Sequence, residues 1–181
     1  MIFEELPLKG AYKIDLNLLE DSRGGFTRYY CKKEFEKIGL INDFVQMNHS
    51  YNYLKGTLRG MHYQKNPHEE LKLVRCIKGS VLDVIIDLRR DSNTFLQHFS
   101  IELSEKNKTM IVIPENFAHG FQTLEDNSEL IYHHTEFYNR EAEDGLLYND
   151  PQLKIKWPLP VTNISEKDKG YTQIKSKQFR H

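Results

Sequence analysis

Leu58-Arg59-Gly60-Met61-His62-Tyr63-Gln64 is a strand-length segment in which Arg59, His62 and Gln64 stand among residues that suit a buried β-strand. Around it lie further short apolar runs, at 71–77, 81–88, 95–103, 108–113, 121–124 and 129–137. Several are rich in Val, Ile, Tyr and Phe, the side chains that fill a pleated, half-buried surface. Turn signals part them: Lys78-Gly79-Ser80, Arg90-Asp91-Ser92-Asn93 and Glu125-Asp126-Asn127-Ser128. This regular spacing predicts an all-β protein, an antiparallel sandwich or barrel. Helix is confined to short pieces. One is expected over 32–38, where Phe35 and Ile38 fall three apart and Gly39 supplies the stop, and another begins near Ser165. Alternate residues of each strand face inward in such a fold, so an inward polar side chain is either hydrogen-bonded or functional. Segments 58–64 and 129–137 therefore carry most of the functional information.

Composition bounds the rest. The 181 residues include 25 Lys and Arg against 26 Asp and Glu, with 39% hydrophobic residues and 12% aromatics. No repeat, low-complexity tract or linker divides the chain, which predicts a single domain over 1–175 and a polar tail at 176–181. A formal charge of -1 argues against a nucleic-acid partner, which calls for a basic surplus. The apolar runs end far short of the roughly 20 residues needed to span a membrane. Glu4 and Glu5 stand where a signal peptide would carry a basic region, and Cys31 and Cys76 lie far apart, outside any CxxC pair. A cytoplasmic protein with reduced thiols is expected.

Two histidine segments point to chemistry. His62 lies close to Arg59, a phosphate-binding residue type, and Pro114-Glu115-Asn116-Phe117-Ala118-His119-Gly120-Phe121 places a second His in a turn entering a strand. Alone, a strand His is more often a hydrogen-bonded core residue than a base, and His119 reads equally well as part of a polar loop. Together the segments resemble the two halves of a cupin signature, a small jelly-roll β-barrel whose metal form uses H-x-H, a Glu and a later His. Gln64 replaces the second His of H-x-H, and a glutamine is a poor ligand for transition metals. The expectation is a cupin with neither metal nor cofactor.

A broader set of blocks narrows this further: Ser22-Arg23-Gly24-Gly25-Phe26, Phe44-Val45-Gln46-Met47-Asn48-His49-Ser50, the 58–64 segment, Lys72-Leu73-Val74-Arg75, 113–121, Asn149-Asp150-Pro151 and Ile155-Lys156-Trp157-Pro158. In this order, over about 20–170, they resemble the dTDP-4-dehydrorhamnose 3,5-epimerase family. The resemblance implies a metal-independent cupin isomerase, a homodimer, acting on a nucleotide-diphosphate-linked 4-keto sugar in surface polysaccharide (O-antigen or capsule) biosynthesis. Hydrogens on carbons 3 and 5 are both α to the ketone, so loss of either gives an enolate, and inversion needs a base on one ring face and an acid on the other. His62 suits the base, since an imidazole of ordinary pKa near 6.5 is largely neutral at physiological pH. The family pattern matches Asp168 to the carboxylate behind it and Tyr132 to the acid. Asp168 also reads as a helix-cap residue in Ser165-Glu166-Lys167-Asp168, and Tyr132 as a packed strand tyrosine. Lys72 would stabilise the developing oxyanion, while Arg59 and Arg23 would hold the diphosphate. His119 is expected at the phosphate or sugar end. Phe26 would stack on the base, Gln46 and Asn48 would hydrogen-bond nearby, and Tyr138 would line a nucleotide cleft partly supplied by the partner subunit.

Three departures bear on substrate. Arg28 stands where the family's Arg-Gly-x-Phe-x-Glu block has an acid; Glu70-Leu71 replaces Gln-Gly before Lys72; and Tyr-Lys-x-Thr becomes Tyr132-His133-His134-Thr135. Tyr148 also stands where the family typically has Trp. An arginine donates hydrogen bonds where a carboxylate accepts them, so a guanosine-linked sugar, such as a GDP-linked 4-keto-heptose, competes with the thymidine-linked one. A nucleotide-sugar 3,4-ketoisomerase, a non-catalytic sugar-nucleotide-binding cupin and a metal-dependent cupin are the alternative classes.

Overall fold

Ser80-Val81-Leu82-Asp83-Val84-Ile85-Ile86-Asp87 shows how the residue pattern builds the molecule. Its odd positions Val81 and Ile85 enter an interior cluster with Val74, Ile111 and Phe121, while Leu82, Val84 and Ile86 enter a second cluster on the other face. A strand buried on both sides belongs at the centre of a sheet, and this one is nearly continuous in apolar residues for that reason. The computed structural model describes residues 1–174, so the tail expected at 176–181 lies outside the described residues.

In chain order the strands are β1 (Ile2–Glu5), β2 (Tyr12–Asp15), β3 (Leu19–Asp21), β4 (Gly24–Phe26), β5 (Gln46–Asn52), β6 (Leu58–Gln64), β7 (Lys72–Lys78), β8 (Ser80–Asp87), β9 (His98–Ser104), β10 (Met110–Ile113), β11 (Phe117–Thr123), β12 (Ser128–His134) and β13 (Glu143–Gly145). Two sheets pack face to face, ordered β1-β2-β10-β7-β12-β5 and β13-β6-β11-β8-β9, with β3 and β4 forming a separate hairpin. All ladders between these strands are antiparallel. The result is the expected all-β jelly roll, in its two-sheet form. The interior cluster fills one end of the space between the sheets. Outside the first sheet, Phe35 of helix α1 (Lys32–Phe35) packs with Leu73, Met110 and Val112. Outside the second, the C-terminal segment lays Leu146, Leu153, Trp157 and Ile174 over Met61, Val84 and Ala118.

The short helices fall where expected. A 3-10 turn, Glu36–Ile38, extends α1 and stops at Gly39, whose φ of 83° is a left-handed cap. Helix α2 (Glu166–Lys169) starts at Ser165. Among the described residues no helix is long and apolar enough to cross a membrane. Some strand bounds differ from expectation. The run 95–103 forms a strand only from His98, because the Ser92 and Thr94 hydroxyls bind the Asp87 carboxylate and the Leu96 N–H binds the Asp87 carbonyl, closing a turn first. Strand β12 stops at His134, short of 137. The run at 121–124 is the end of a longer strand, so His119 lies inside β11 and not in a loop.

Candidate active site

The interior is polar at the end away from the apolar cluster, and registry explains which side chains meet there. In the first sheet His134 lies opposite both Lys72 and Gln46, and Tyr132 lies opposite Asn48 and Val74, so these residues share one face across β7, β12 and β5. In the second sheet His62 of β6 lies opposite His119 of β11. An open cavity of about 290 Å³ separates the two sets.

The close approach of β6 and β11 accounts for two glycines. A Cβ on Gly60, whose φ is +112°, would meet the His119 carbonyl at 2.6 Å; one on Gly120 would meet Met61 Sδ at 2.5 Å and the Arg59 carbonyl at 2.8 Å. Neither position has room for a side chain.

His62 Nε2 lies 2.7 Å from Asp168 Oδ1, and the Gly60 N–H donates to Asp168 Oδ2 at 3.0 Å. Ser165 Oγ accepts from the Asp168 N–H at 3.0 Å. Both readings of Asp168 therefore hold: its backbone is capped by Ser165 while its carboxylate backs the imidazole. Burial pushes the Asp168 carboxyl up, but the hydrogen bond and charge of His62 and the Gly60 N–H outweigh it and hold the group below the usual carboxylate range. An ionised carboxylate only accepts, so Nε2 carries the proton and Nδ1 keeps a lone pair.

Tyr132 lines the opposite wall. Burial and the Asp83 carboxylate push its phenol far above the ordinary value, while Arg59 and a Ser50 hydrogen bond pull the other way. It rests as a proton donor. His119, 5% exposed, places Nε2 2.7 Å from Asp83 Oδ2. Lys72 Nζ lies 3.0 Å from Glu70 Oε1, and His134 Nδ1 lies 2.6 Å from Glu70 Oε2. Burial raises the Glu70 carboxyl, yet the His134 hydrogen bond and the Lys72 charge bring it below its ordinary value. Arg59 donates to Asn52 Oδ1 at 2.7 Å and to the Tyr51 carbonyl at 3.1 Å, with the cavity beside it. At the rim the Tyr138 hydroxyl donates to Glu143 Oε2 at 2.8 Å, and Lys167 pairs with Glu143.

Of the residues singled out in the sequence, His62, Lys72, Tyr132, Asn48, Arg59, His119 and Tyr138 line this cavity, Asp168 stands behind His62, and Gln46 bonds Asn48 at its edge. Three others stand apart within the single chain. Arg23 is 87% exposed on the β3–β4 hairpin and bound to Asp21; Phe26 is 71% exposed on the same hairpin; Arg28 pairs with Glu34. The sequence reading did not name Asp83 or Glu143, and it quoted Glu70 and His134 only within the departures from the family pattern that bear on substrate, without giving either a role. Asp83 had a signal, since an acid flanked by apolar residues within a buried run needs a partner. Gln64 uses its amide on backbone, donating to the His68 and Phe137 carbonyls and accepting from the Asn139 N–H. Among the described residues no group of three or more His, Cys, Asp or Glu side chains is arranged to hold a metal ion.

Comparison with known proteins agrees with the blocks quoted above. A family model described as dTDP-4-dehydrorhamnose 3,5-epimerase matches residues 5–176. The dTDP-4-dehydrorhamnose 3,5-epimerase of Salmonella typhimurium is 43% identical over 170 residues, 93% of this chain and 92% of that one. A crystal structure of the Bacillus anthracis enzyme of that name, with TDP and PPi bound, superposes with a TM-score of 0.93 at 39% identity, covering 96% of this chain and 99% of that one. A Legionella pneumophila dTDP-6-deoxy-D-glucose-3,5-epimerase in complex with dTDP-4-keto-L-rhamnose gives a TM-score of 0.90 at 36% identity, over 95% of this chain and 92% of that one. These relatives favour neither a ketoisomerase nor a non-catalytic binding module.

Proposed function

The chain belongs to the dTDP-4-dehydrorhamnose 3,5-epimerase family, and from that membership we propose that it is an isomerase inverting carbons 3 and 5 of a thymidine-diphosphate-linked 4-keto-6-deoxy sugar, with His62 as base and Tyr132 as acid. One observation carries the reading: a histidine whose cavity-facing nitrogen is left free by a buried carboxylate, and a protonated tyrosine, stand on facing sheets across one cavity. A sugar ring between them presents one face to each.

His62 Nδ1 takes the α-proton, and the electron pair moves through the C–C bond to the ketone oxygen. Asp168 stabilises the imidazolium that results, as a carboxylate does behind a catalytic histidine. The Lys72 ammonium donates to the enolate oxygen, where a fixed donor is worth most in the transition state. Tyr132 then gives its proton to the opposite face, and the Ser50 hydroxyl and the Arg59 charge stabilise the phenolate. Arg59 meets the diphosphate, and Gln46, Asn48, His119 and Tyr138 surround the sugar and nucleotide. The dTDP-linked substrates in the relatives' names favour thymidine over guanosine.

The working unit in this reading is a homodimer in the cytoplasm. Supporting it, β5 is a sheet edge exposing Met47 and Tyr51, and the Arg23–Phe26 hairpin stands off its own cavity, free to complete that of a second copy. Light scattering on the purified protein gives the mass directly.

The deciding assay is incubation with a dTDP-linked 4-keto-6-deoxy sugar in deuterated water, followed by proton NMR. Loss of the signals at carbons 3 and 5 with inversion is expected. No exchange at either carbon, with thymidine- or guanosine-linked substrate, would sink the proposal.

A further inference from the structure

Glu70 occupies a position where the chain departs from the family's sequence pattern and His134 one that the pattern leaves open, and the fold brings them into contact at 2.6 Å. They sit in a continuous run of hydrogen bonds. The Tyr138 N–H donates to Gln46 Oε1 at 3.1 Å, Gln46 Nε2 to Asn48 Oδ1 at 3.3 Å, and Asn48 Nδ2 to His134 Nε2 at 3.2 Å. His134 Nδ1 then donates to Glu70 Oε2, and Lys72 Nζ reaches Glu70 Oε1 from the other side at 3.0 Å. Each donor points toward Glu70. The backbone N–H at one end can only donate and the carboxylate at the other can only accept, so the two ends fix every amide and the imidazole tautomer between them. The Lys72, Glu70 and His134 side chains are each about a tenth exposed or less, so water does not readily substitute for a lost partner.

We propose that Glu70 and His134 are a positioning pair for this site: the Glu70 carboxylate anchors Lys72 on one oxygen and, through His134 on the other, sets which atoms Asn48 and Gln46 turn toward the substrate. The pair acts on the reaction through Lys72 and the amides and does not itself touch the reacting carbons. It rests on the epimerase reading given above.

A carboxylate accepts from both neighbours at once, whereas a glutamine carbonyl accepts on one side only. In Glu70→Gln either the amide N–H2 faces the Lys72 ammonium, or it faces His134 and forces the imidazole and both amides to reverse, leaving the Tyr138 N–H unpaired. His134→Gln keeps the direction of the chain, because its Nε2 amide donates to Glu70 while its Oε1 accepts from Asn48, whereas His134→Leu offers neither group.

The test combines two measurements. Nitrogen-15 NMR of the wild-type imidazoles reports the tautomer of His134 without any turnover; Nδ1–H is expected, and Nε2–H would overturn the chain's direction. Deuterium-exchange kinetics on the thymidine-linked substrate then compare the variants. Glu70→Gln and His134→Leu should each lower kcat/KM about 10- to 100-fold, the scale on which a misplacement of about 1 Å acts, and His134→Gln should stay within about threefold of wild type. Wild-type kcat/KM in Glu70→Gln, or equal losses in His134→Gln and His134→Leu, overturns the proposal. Absence of exchange in the wild-type protein instead overturns the functional reading, and the tautomer measurement still judges the chain.

Discussion

Replacing Asp168 by Asn tests the catalytic reading at its most constrained point. The wild-type carboxylate accepts from two fixed donors, His62 Nε2–H at 2.7 Å and the Gly60 N–H at 3.0 Å, and its side chain is 5% exposed. An asparagine accepts from only one. If its Oδ1 takes the Gly60 N–H, which cannot turn away, its N–H2 points at His62 Nε2 and makes that nitrogen the acceptor. The proton then sits on Nδ1, the nitrogen facing the cavity, and the base has no lone pair for the substrate. The corresponding exchange behind a serine protease histidine lowers kcat about 10⁴-fold by the same tautomer argument. Here a loss of about 10³- to 10⁴-fold is expected, or about 4 to 5.5 kcal/mol of transition-state stabilisation. KM should change little, since Asp168 faces away from the cavity behind His62. The assay is deuterium incorporation at carbon 3 by NMR, with a thermal melt to verify folding. Ser165→Ala is the control: it removes the α2 cap, costs about 1 kcal/mol of stability and leaves exchange near wild type. A folded Asp168→Asn protein that retains exchange within tenfold of wild type would refute the argument.

Tyr132→Phe keeps the base and removes the acid, so inversion should fall about 10²- to 10³-fold while exchange at carbon 3 falls much less; a parallel loss of both contradicts the assignment. Asp87→Asn addresses stability. Burial raises the Asp87 carboxyl, but the Arg89 guanidinium and the Ser92 and Thr94 hydroxyls bring it down to about 2. A carboxyl lowered on folding contributes stability above its unfolded value near 4 and loses it as pH falls through about 2, so the variant should be about 2 kcal/mol less stable at pH 7 and the gap should close in acid. Denaturant titrations at both ends check this, and a gap that persists at pH 2 counts against it. Burial also pushes the Cys76 thiol up to about 11, whereas Cys31 is partly exposed. A thiol reagent at pH 8 should find one reactive cysteine in the native protein and two after unfolding; two fast thiols in the native state would be inconsistent.

The fold was legible where strand-length apolar runs are bounded by turn residues. Segment 58–64 coincides with β6, and the nearly continuous apolar run over 81–88 reports burial on both faces of β8. It was less legible where side chains override propensity: Phe95 and Leu96 have strand-like composition, yet the Asp87 carboxylate gathers the neighbouring hydroxyls into a turn. For the site, motif resemblance singled out seven residues that line the cavity, with Asp168 behind His62, but gave no role to the carboxylates that hold His119 and His134. Asp83 and Glu70 lie far in sequence from their partners His119 and His134, 36 and 64 positions away, and such pairings depend on strand registry that local pattern does not specify. Gly60 and Gly120 read as punctuation in the sequence. Their requirement is steric, set by two strands that meet only in the folded chain.

Those pairings also explain how a protein of charge -1 presents a site for a diphosphate sugar. Four imidazoles line the cavity, and three have one ring nitrogen on a carboxylate at 2.6 to 2.7 Å: His62 on Asp168, His119 on Asp83 and His134 on Glu70, while His49 meets Glu129 at 3.1 Å. Lys72 shares Glu70, Arg23 is held by Asp21 and Arg28 by Glu34. Arg59 differs: its hydrogen-bond acceptors, Asn52 Oδ1 and the Tyr51 carbonyl, are neutral, so the guanidinium is positioned without being neutralised. Substrate binding and chemistry thus draw on different electrostatics. In the proposed reaction the diphosphate meets a net positive charge that Arg59 supplies at the mouth. The only anion formed at Lys72 in that reaction is the transient enolate, and substrate and product both present a neutral ketone there. Pairing Lys72 with Glu70 leaves the ammonium as a directed hydrogen-bond donor of reduced net field, which favours the enolate oxygen during the reaction and releases the ketone after it.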